Sequence, residues 1–197
     1  YGNVLQSLLH TATARPDGNE ANLRTCAFQA LATVVSSAPI SSLPLIQQMV
    51  TQFLISQLEA LQSTPIVNSD DRMRQQELQG HYAAVLQSAI KVLSSDQVLV
   101  FADRLMSVIL QQSAPILATA SSRPPTPLSD ASNMDQSSPS TSACAVWEDL
   151  LLLMGTLIAA VGEDAVKYVE GGVAPVLAAA LSGAYHLETS LCVMAII

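Results

Sequence analysis

The sequence predicts an all-α fold built from antiparallel helix pairs stacked side by side. Three observations predict it. Apolar residues recur at spacings of three and four along most of the chain, which lines one face of a helix. Alternating runs of β-branched and aromatic residues, the mark of half-buried strands, are missing; aromatics make up 4% of a chain that is 50% hydrophobic. The periodic segments also come in pairs, each pair divided by a short cluster of turn residues.

The clearest pair runs from 70 to 112. Leu78, Tyr82, Val85, Leu86, Ala89, Ile90 and Leu93 share one face of its first helix, and Val98, Phe101, Ala102, Leu105, Met106, Ile109 and Leu110 share a face of its second. Ser94-Ser95-Asp96 divides them, with Ser95 as the expected N-cap, since a serine hydroxyl accepts from an unpaired helix N–H. Ahead of this pair, residues 3–13 read as a helix remnant with Val4, Leu5, Leu8 and Leu9 on its apolar side. Arg15-Pro16-Asp17-Gly18-Asn19 is a turn. The next pair covers 20–62. Its first helix places Leu23, Ala27, Leu31, Val34 and Val35 inward and closes at Ala38-Pro39, because the residue before proline avoids helical geometry. Its second helix is capped by Ser42, tolerates Pro44 in its first turn, and carries Ile46, Met49, Val50, Phe53, Leu54, Leu58 and Leu61 inward.

Residues 120–142 are rich in Ser, Pro and Thr and have no periodicity. Such a segment buries too little apolar surface to offset its ordering entropy, so a disordered insert is expected. Thr126-Pro127 and Ser138-Pro139 have the form of proline-directed phosphorylation sites, although an inert surface insert is the simpler expectation. Order resumes at 143 with Trp147, Leu150, Leu151, Met154, Ile158 and Val161 on one face. Gly162 sits where a C-terminal cap belongs, and Glu163-Asp164 opens the next helix with charges that suit its dipole. Val166, Val169, Val173, Val176, Leu177, Ala180 and Leu181 form its apolar side, with a kink or fresh start demanded after Gly171-Gly172 by Pro175.

First helices thus begin near Glu20, Asp70, Ala143 and Tyr185. With the insert removed, the interval falls in the range of about 40–47 residues typical of HEAT and armadillo arrays. Two helices per unit favour HEAT, an armadillo-like right-handed α-solenoid. The expected organisation is repeats over 1–119 (remnant 3–13, pairs 20–62 and 70–112), the insert 120–142, and 143–197 holding a pair at 143–182 and a truncated helix at 185–197. Both termini fall inside helical runs, as expected of a piece of a longer protein.

Composition narrows the function. Eight Lys and Arg stand against sixteen Asp and Glu, a formal charge of −8. Without a basic stripe, nucleic-acid binding is not expected, whereas an acidic surface suits basic protein partners. The apolar runs are too short or too broken for the roughly 20 residues a membrane span needs. Cys26, Cys144 and Cys192 are scattered, which points to a reducing compartment and to three small buried apolar residues. His10, His81 and His186 are equally scattered, so no metal site is expected, and no nucleophile, phosphate-loop or cofactor motif signals an enzyme.

Arg15-Pro16-Asp17-Gly18 followed by Asn22-Leu23-Arg24-Thr25 resembles the signature in the middle of the importin beta family. Asp71-Arg72 with Leu78-Gln79, and then Glu148-Asp149, Val161-Gly162-Glu163, Lys167-Tyr168, Glu170 and Pro175, resemble the repeats that follow it, in the same order. The long insert and Gly171-Gly172 depart from the family pattern. The resemblance implies a nuclear import receptor working between cytoplasm and nucleus and at pores of the nuclear envelope. It would bind importin alpha or basic cargo segments, Ran-GTP and FG-nucleoporins. A HEAT-repeat scaffold or regulatory subunit of another complex is the alternative.

In such an array the second helices line the inner face. Glu59, Asp96, Asp103, Glu163, Asp164 and Glu170 are therefore the candidate partner-binding carboxylates, although helix-dipole capping alone accounts for Asp96, Glu163 and Asp164. Trp147 and Tyr185, on neighbouring first helices, are candidates for an outer groove that takes a phenylalanine of FG repeats, with core packing the competing role for Trp147.

Overall fold

A computed structural model describes residues 1–13, 21–121 and 141–181, and side chains within 1–13, 22–114 and 148–178. Among the described residues there are helices and short turns and no strand. Helix α1 (Gly2–Thr13) is followed by α2 (Ala21–Ser36). A 3₁₀ turn (Ile40–Ser42) leads into α3 (Leu43–Met49), which continues through a π-helical turn (Val50–Leu54) into α4 (Ile55–Ser63). The α2 axis and this α3–α4 rod meet at a bend of 118°. Then come α5 (Ser69–Val92), α6 (Ser95–Ser121) and α7 (Thr141–Val161). A 3₁₀ turn (Gly162–Ala165), α8 (Val166–Tyr168), a second π turn (Val169–Val173) and α9 (Ala174–Leu181) complete the described chain.

Two layers result. The first helices α2, α5 and α7 pack in succession, and the α3–α4 rod, α6 and α9 pack in a second row, with α1 against α2. The chain is thus an all-α array of stacked helix pairs. α5 sits at its centre, with Tyr82, Ala83, Val85, Leu86, Ala89 and Ile90 all buried, because it has a neighbour on each flank. One continuous apolar cluster runs from Leu5 to Val176, so the layers share a core that extends along the stack.

Local signals set the helix ends. The Asn68 side chain accepts from the Asp71 backbone N–H at 2.7 Å, Asp70 and Asp71 occupy the first turn of α5, and Lys91 occupies its last; each suits the dipole. Ser42 precedes α3 with Pro44 in its first turn, but the expected cap is not made by its hydroxyl, which forms no capping bond. The cap of α6 differs from expectation. The helix begins at Ser95, and the residue in front of it is Ser94, whose N–H and hydroxyl both donate to Oε1 of Gln97 at 3.1 and 3.2 Å. This is the back half of a capping box: the side chain three residues in reaches the cap. α6 also runs to Ser121, past the expected end at 112.

Several facing assignments change as well. On α2 the buried stripe is Arg24, Ala27, Phe28, Leu31 and Val35; Leu23 and Cys26 lie beside it and are exposed. Val4 is exposed on α1. In the third pair Val166 (62% exposed) and Val169 (43%) point outward, while Ala165, Tyr168, Val173 and Val176 are buried. A 3₁₀ turn and a π turn each wind differently from an α-helix, so a uniform 3.6-residue periodicity runs out of phase there. Gly162 adopts φ 60° just past α7. Gly172 adopts φ 143°, which supplies the break expected before Pro175. Residues 122–140, including Thr126 and Ser138, and residues 182–197, including Cys192, lie outside the described residues.

Leu86 is fully buried in α5, and Val100 is exposed on α6. Leu86→Ala is expected to cost about 3 kcal/mol through the cavity it leaves, and Val100→Ala to stay within about 0.5 kcal/mol, measured by urea denaturation followed by circular dichroism.

Candidate partner-binding surface

The layers are joined by polar seams, and the seams decide which charges remain available. Between α2 and α5, buried Arg24 donates to Glu77 at 3.2 Å, and Thr25 donates to the same carboxylate at 3.2 Å and lies 3.3 Å from Nε2 of His81. The His81 ring stacks on Phe28 at 5.0 Å, and Phe28 meets Tyr82 edge-on at 5.2 Å. Burial holds the His81 imidazole below its ordinary range, against the pull of Glu77. Nε of Arg24 has no partner among the described residues. Between α5 and α7, the bare backbone of Gly80 accommodates Asp149: a Cβ at 80 would lie 2.7 Å from Oδ2. Gln87 donates to the Asp149 carbonyl at 3.4 Å. Burial, and secondly the neighbouring Glu148, push the Asp149 carboxyl up to about 6.

The second-helix row is joined differently. Arg104 of α6 grips Glu59 of α4 through two bonds, Nε to Oε1 at 2.8 Å and Nη2 to Oε2 at 2.6 Å. Its remaining donors reach the Thr51 carbonyl, inside the first π turn, at 3.0 Å and the Ser56 hydroxyl at 3.1 Å. The adjacent residue, Asp103, points the other way along the stack. It accepts from Lys167 at 2.7 Å and from the Tyr168 hydroxyl at 2.5 Å, both on α8. These two bonds hold the Asp103 carboxyl below the usual carboxylate range, and the bond to Arg104 does the same for Glu59. Consecutive residues of α6 thereby tie it to both neighbouring second helices. Glutamine amides close the gaps: Gln47 donates to the Gln97 carbonyl, Gln62 to that of Val108 and Gln112 to that of Leu58, while Gln75 of α5 donates across the rows to that of Leu61.

The six candidate carboxylates therefore divide. Glu59 and Asp103 are engaged within the chain. Asp96, Glu163, Asp164 and Glu170 are exposed and carry no ion pair among the described residues. Asp96 belongs to an exposed strip of α6 that continues through Val100, Asp103, Ser107 and Gln111, one helical turn apart. Val166 and Val169 are exposed near Lys167, which itself reaches that strip at Asp103. Trp147 lies on α7 by its backbone, and Tyr185 lies outside the described residues. The seam residues Arg104, Tyr168 and Asp149 were missing from the candidate set. Arg104 was legible as a cation on an exposed face, but its partner is 45 residues away. Gly80, the lone glycine in either helical run, marked a close approach without naming Asp149.

A family model described as "Importin subunit beta-1-like, TPR repeats" matches residues 1–122. The chain belongs to this importin beta-1 family. Importin subunit beta-1 of Schizosaccharomyces pombe is 28% identical over 197 residues, which is 100% of this chain and 19% of that protein. Importin subunit beta-1 of Arabidopsis thaliana is 30% identical over 115 residues, covering 56% of this chain and 13% of that protein. The chain thus spans a fifth or less of the length of these relatives. The family description names TPR repeats, yet α5 and α6 hold 24 and 27 residues and together exceed the 34-residue TPR unit, as HEAT-type pairs do. Landmarks that carried the resemblance turn out to be seam residues: Arg24 between α2 and α5, Asp149 between α5 and α7, and Lys167 and Tyr168 between α6 and α8.

Asp149 makes one seam sensitive to pH. Its carboxyl is raised in the folded state, so the stabilising form is the protonated one, fully present below the ordinary aspartate range and lost as pH rises through about 6. The melting temperature of Asp149→Asn relative to the parent is expected to rise between pH 4.5 and 7.5, measured by calorimetry at both values. In the other row, a double-mutant cycle of Glu59→Gln and Arg104→Met is expected to give a coupling of roughly 0.5–1 kcal/mol, the value of a well-aligned but exposed pair.

Proposed function

We propose that this chain is a repeat segment of a nuclear import receptor, one that binds cargo or importin alpha, FG-nucleoporins and Ran-GTP and catalyses no reaction. Family membership is the observation that carries the reading, together with a relative that aligns across the whole chain. The importin beta family is one of transport receptors that shuttle between cytoplasm and nucleus. Partner binding then falls to surfaces, and two are on offer.

The first is the second-helix face. Asp96, Glu163, Asp164 and Glu170 carry unpaired negative charge beside exposed Val100, Val166 and Val169. A basic amphipathic helix suits that mixture: its cations meet the carboxylates, and its apolar side covers the valines. A chain with a net charge of −8 also steers such a partner toward itself before contact. The second surface is the first-helix row, and Trp147 of α7 and Tyr185 are the proposed FG-repeat contacts. Of the expected insert 120–142, residues 122–140 are proposed as a surface insert between repeats, since 120–121 and 141–142 belong to α6 and α7.

The test uses the full-length protein, immobilised and offered the basic amino-terminal segment of importin alpha. Capture that is released by Ran-GTP is expected. A triple charge reversal, Glu163→Lys, Asp164→Lys and Glu170→Lys, is expected to weaken capture by about tenfold, because rim charges act chiefly on association. Capture that ignores Ran-GTP would instead favour the plain scaffold.

A further inference from the structure

The stretch after α7 differs from the other helices in how it is held. Residues 163–171 lie between Gly162 at φ 60° and Gly172 at φ 143°, two backbone conformations open mainly to glycine. Within them only Ala165 and Tyr168 are buried; Glu163, Asp164, Val166, Lys167, Val169, Glu170 and Gly171 are exposed. The winding changes twice across this short run, from 3₁₀ to α to π. Beyond its two buried anchors, the stretch is tied to the stack, among the described residues, by the grip of Lys167 and Tyr168 on Asp103.

That contact is placed where a partner can compete for it. The Asp103 side chain is 73% exposed and that of Lys167 is 52% exposed. Charge sharpens the competition. Three carboxylates and one lysine make the stretch acidic, and it is tied to another carboxylate; Lys167 is the cation that reconciles them. An ammonium or guanidinium group arriving from outside can take the place of Lys167 at Asp103, and Glu163, Asp164 and Glu170 add negative charge to the same stretch. At Gly172, a Cβ would meet Leu110 of α6 at 3.3 Å, so the hinge is also a close approach of the two second helices.

We propose that residues 163–171 form a hinged strap, latched to α6 by Asp103, and that a lysine- or arginine-rich partner segment opens the latch by replacing Lys167. The strap links consecutive second helices, so its release changes the angle between the second and third helix pairs. In a stack where each pair touches only its neighbours, that change adds to the curvature of the whole array. The identity of the trigger rests on the basic-partner reading above; the strap and its latch do not.

Hydrogen exchange followed by mass spectrometry on the intact chain tests both parts. Asp103→Asn removes the charge of the latch from an exposed position, and Tyr168→Phe removes one bond while keeping the buried ring. Each is expected to speed exchange of amides 163–173, the first by about tenfold, with α5 and the centre of α6 unchanged, since local opening is governed by local contacts. Glu59→Gln, which breaks the other rung, is expected to leave 163–173 unchanged. Unaltered exchange there in Asp103→Asn, or acceleration spread evenly over α5 and α6, overturns the strap. A synthetic helical peptide of lysine and leucine is then titrated into the parent. Binding by calorimetry with faster exchange at 163–173 supports the trigger. Binding with slower or unchanged exchange there overturns the trigger while leaving the basic-partner reading in place. Absence of binding overturns that reading and the trigger together.

Discussion

Everything in this structure hangs on α5 having apolar surface on two flanks. A helix with a single stripe pairs once and stops. α5 buries Tyr82, Val85, Leu86, Ala89 and Ile90 together with Ala83, an arc wide enough to meet α2 on one side and α7 on the other. That width turns helix pairs into an array, because each first helix must be shared between neighbours. Alanine at 83 and 89 and glycine at 80 let the neighbouring backbones approach, and Gly80 goes furthest, leaving room only for the Asp149 carboxylate.

The two rows answer to different physics. The first-helix row is sealed by desolvated polar groups, with Arg24 on Glu77, His81 stacked on Phe28, and Asp149 pressed against Gly80. Removing Glu77 would strand the buried Arg24 guanidinium in low dielectric, whereas the charge on Asp149 is itself a cost to the seam. The second-helix row is joined by exposed ion pairs and by glutamine amides on carbonyls, each worth little and exchangeable with water or with a partner.

Much of this was legible in the chain itself. Stripes in α5, α6 and the α3–α4 rod are long and uninterrupted, so spacing alone placed their buried residues. It failed at Leu23, where the buried stripe admits Arg24 in place of a neighbouring leucine, because a charge paired with Glu77 across 53 residues costs less to bury than its type suggests. It failed again at Val166 and Val169, where two changes of winding shift the phase. At the candidate site, the sequence marked which residues bear charge on exposed faces but not which of them face each other. Glu59 and Asp103 looked equivalent to Asp96 and Glu170 until the stack brought Arg104 and Lys167 to the first two.

Sequence by itself determined the helical class, the pairing of helices, the acidic balance and the family, because periodicity, composition and local landmarks are written within short stretches of chain. Tertiary structure alone decided which carboxylates are spent within the array, where a half-buried aspartate has its ionisation pushed up, and how the run between Gly162 and Gly172 is fastened. Each of those depends on groups that meet only after distant helices have packed, at separations of 45 to 65 residues for the two rungs of the second-helix row.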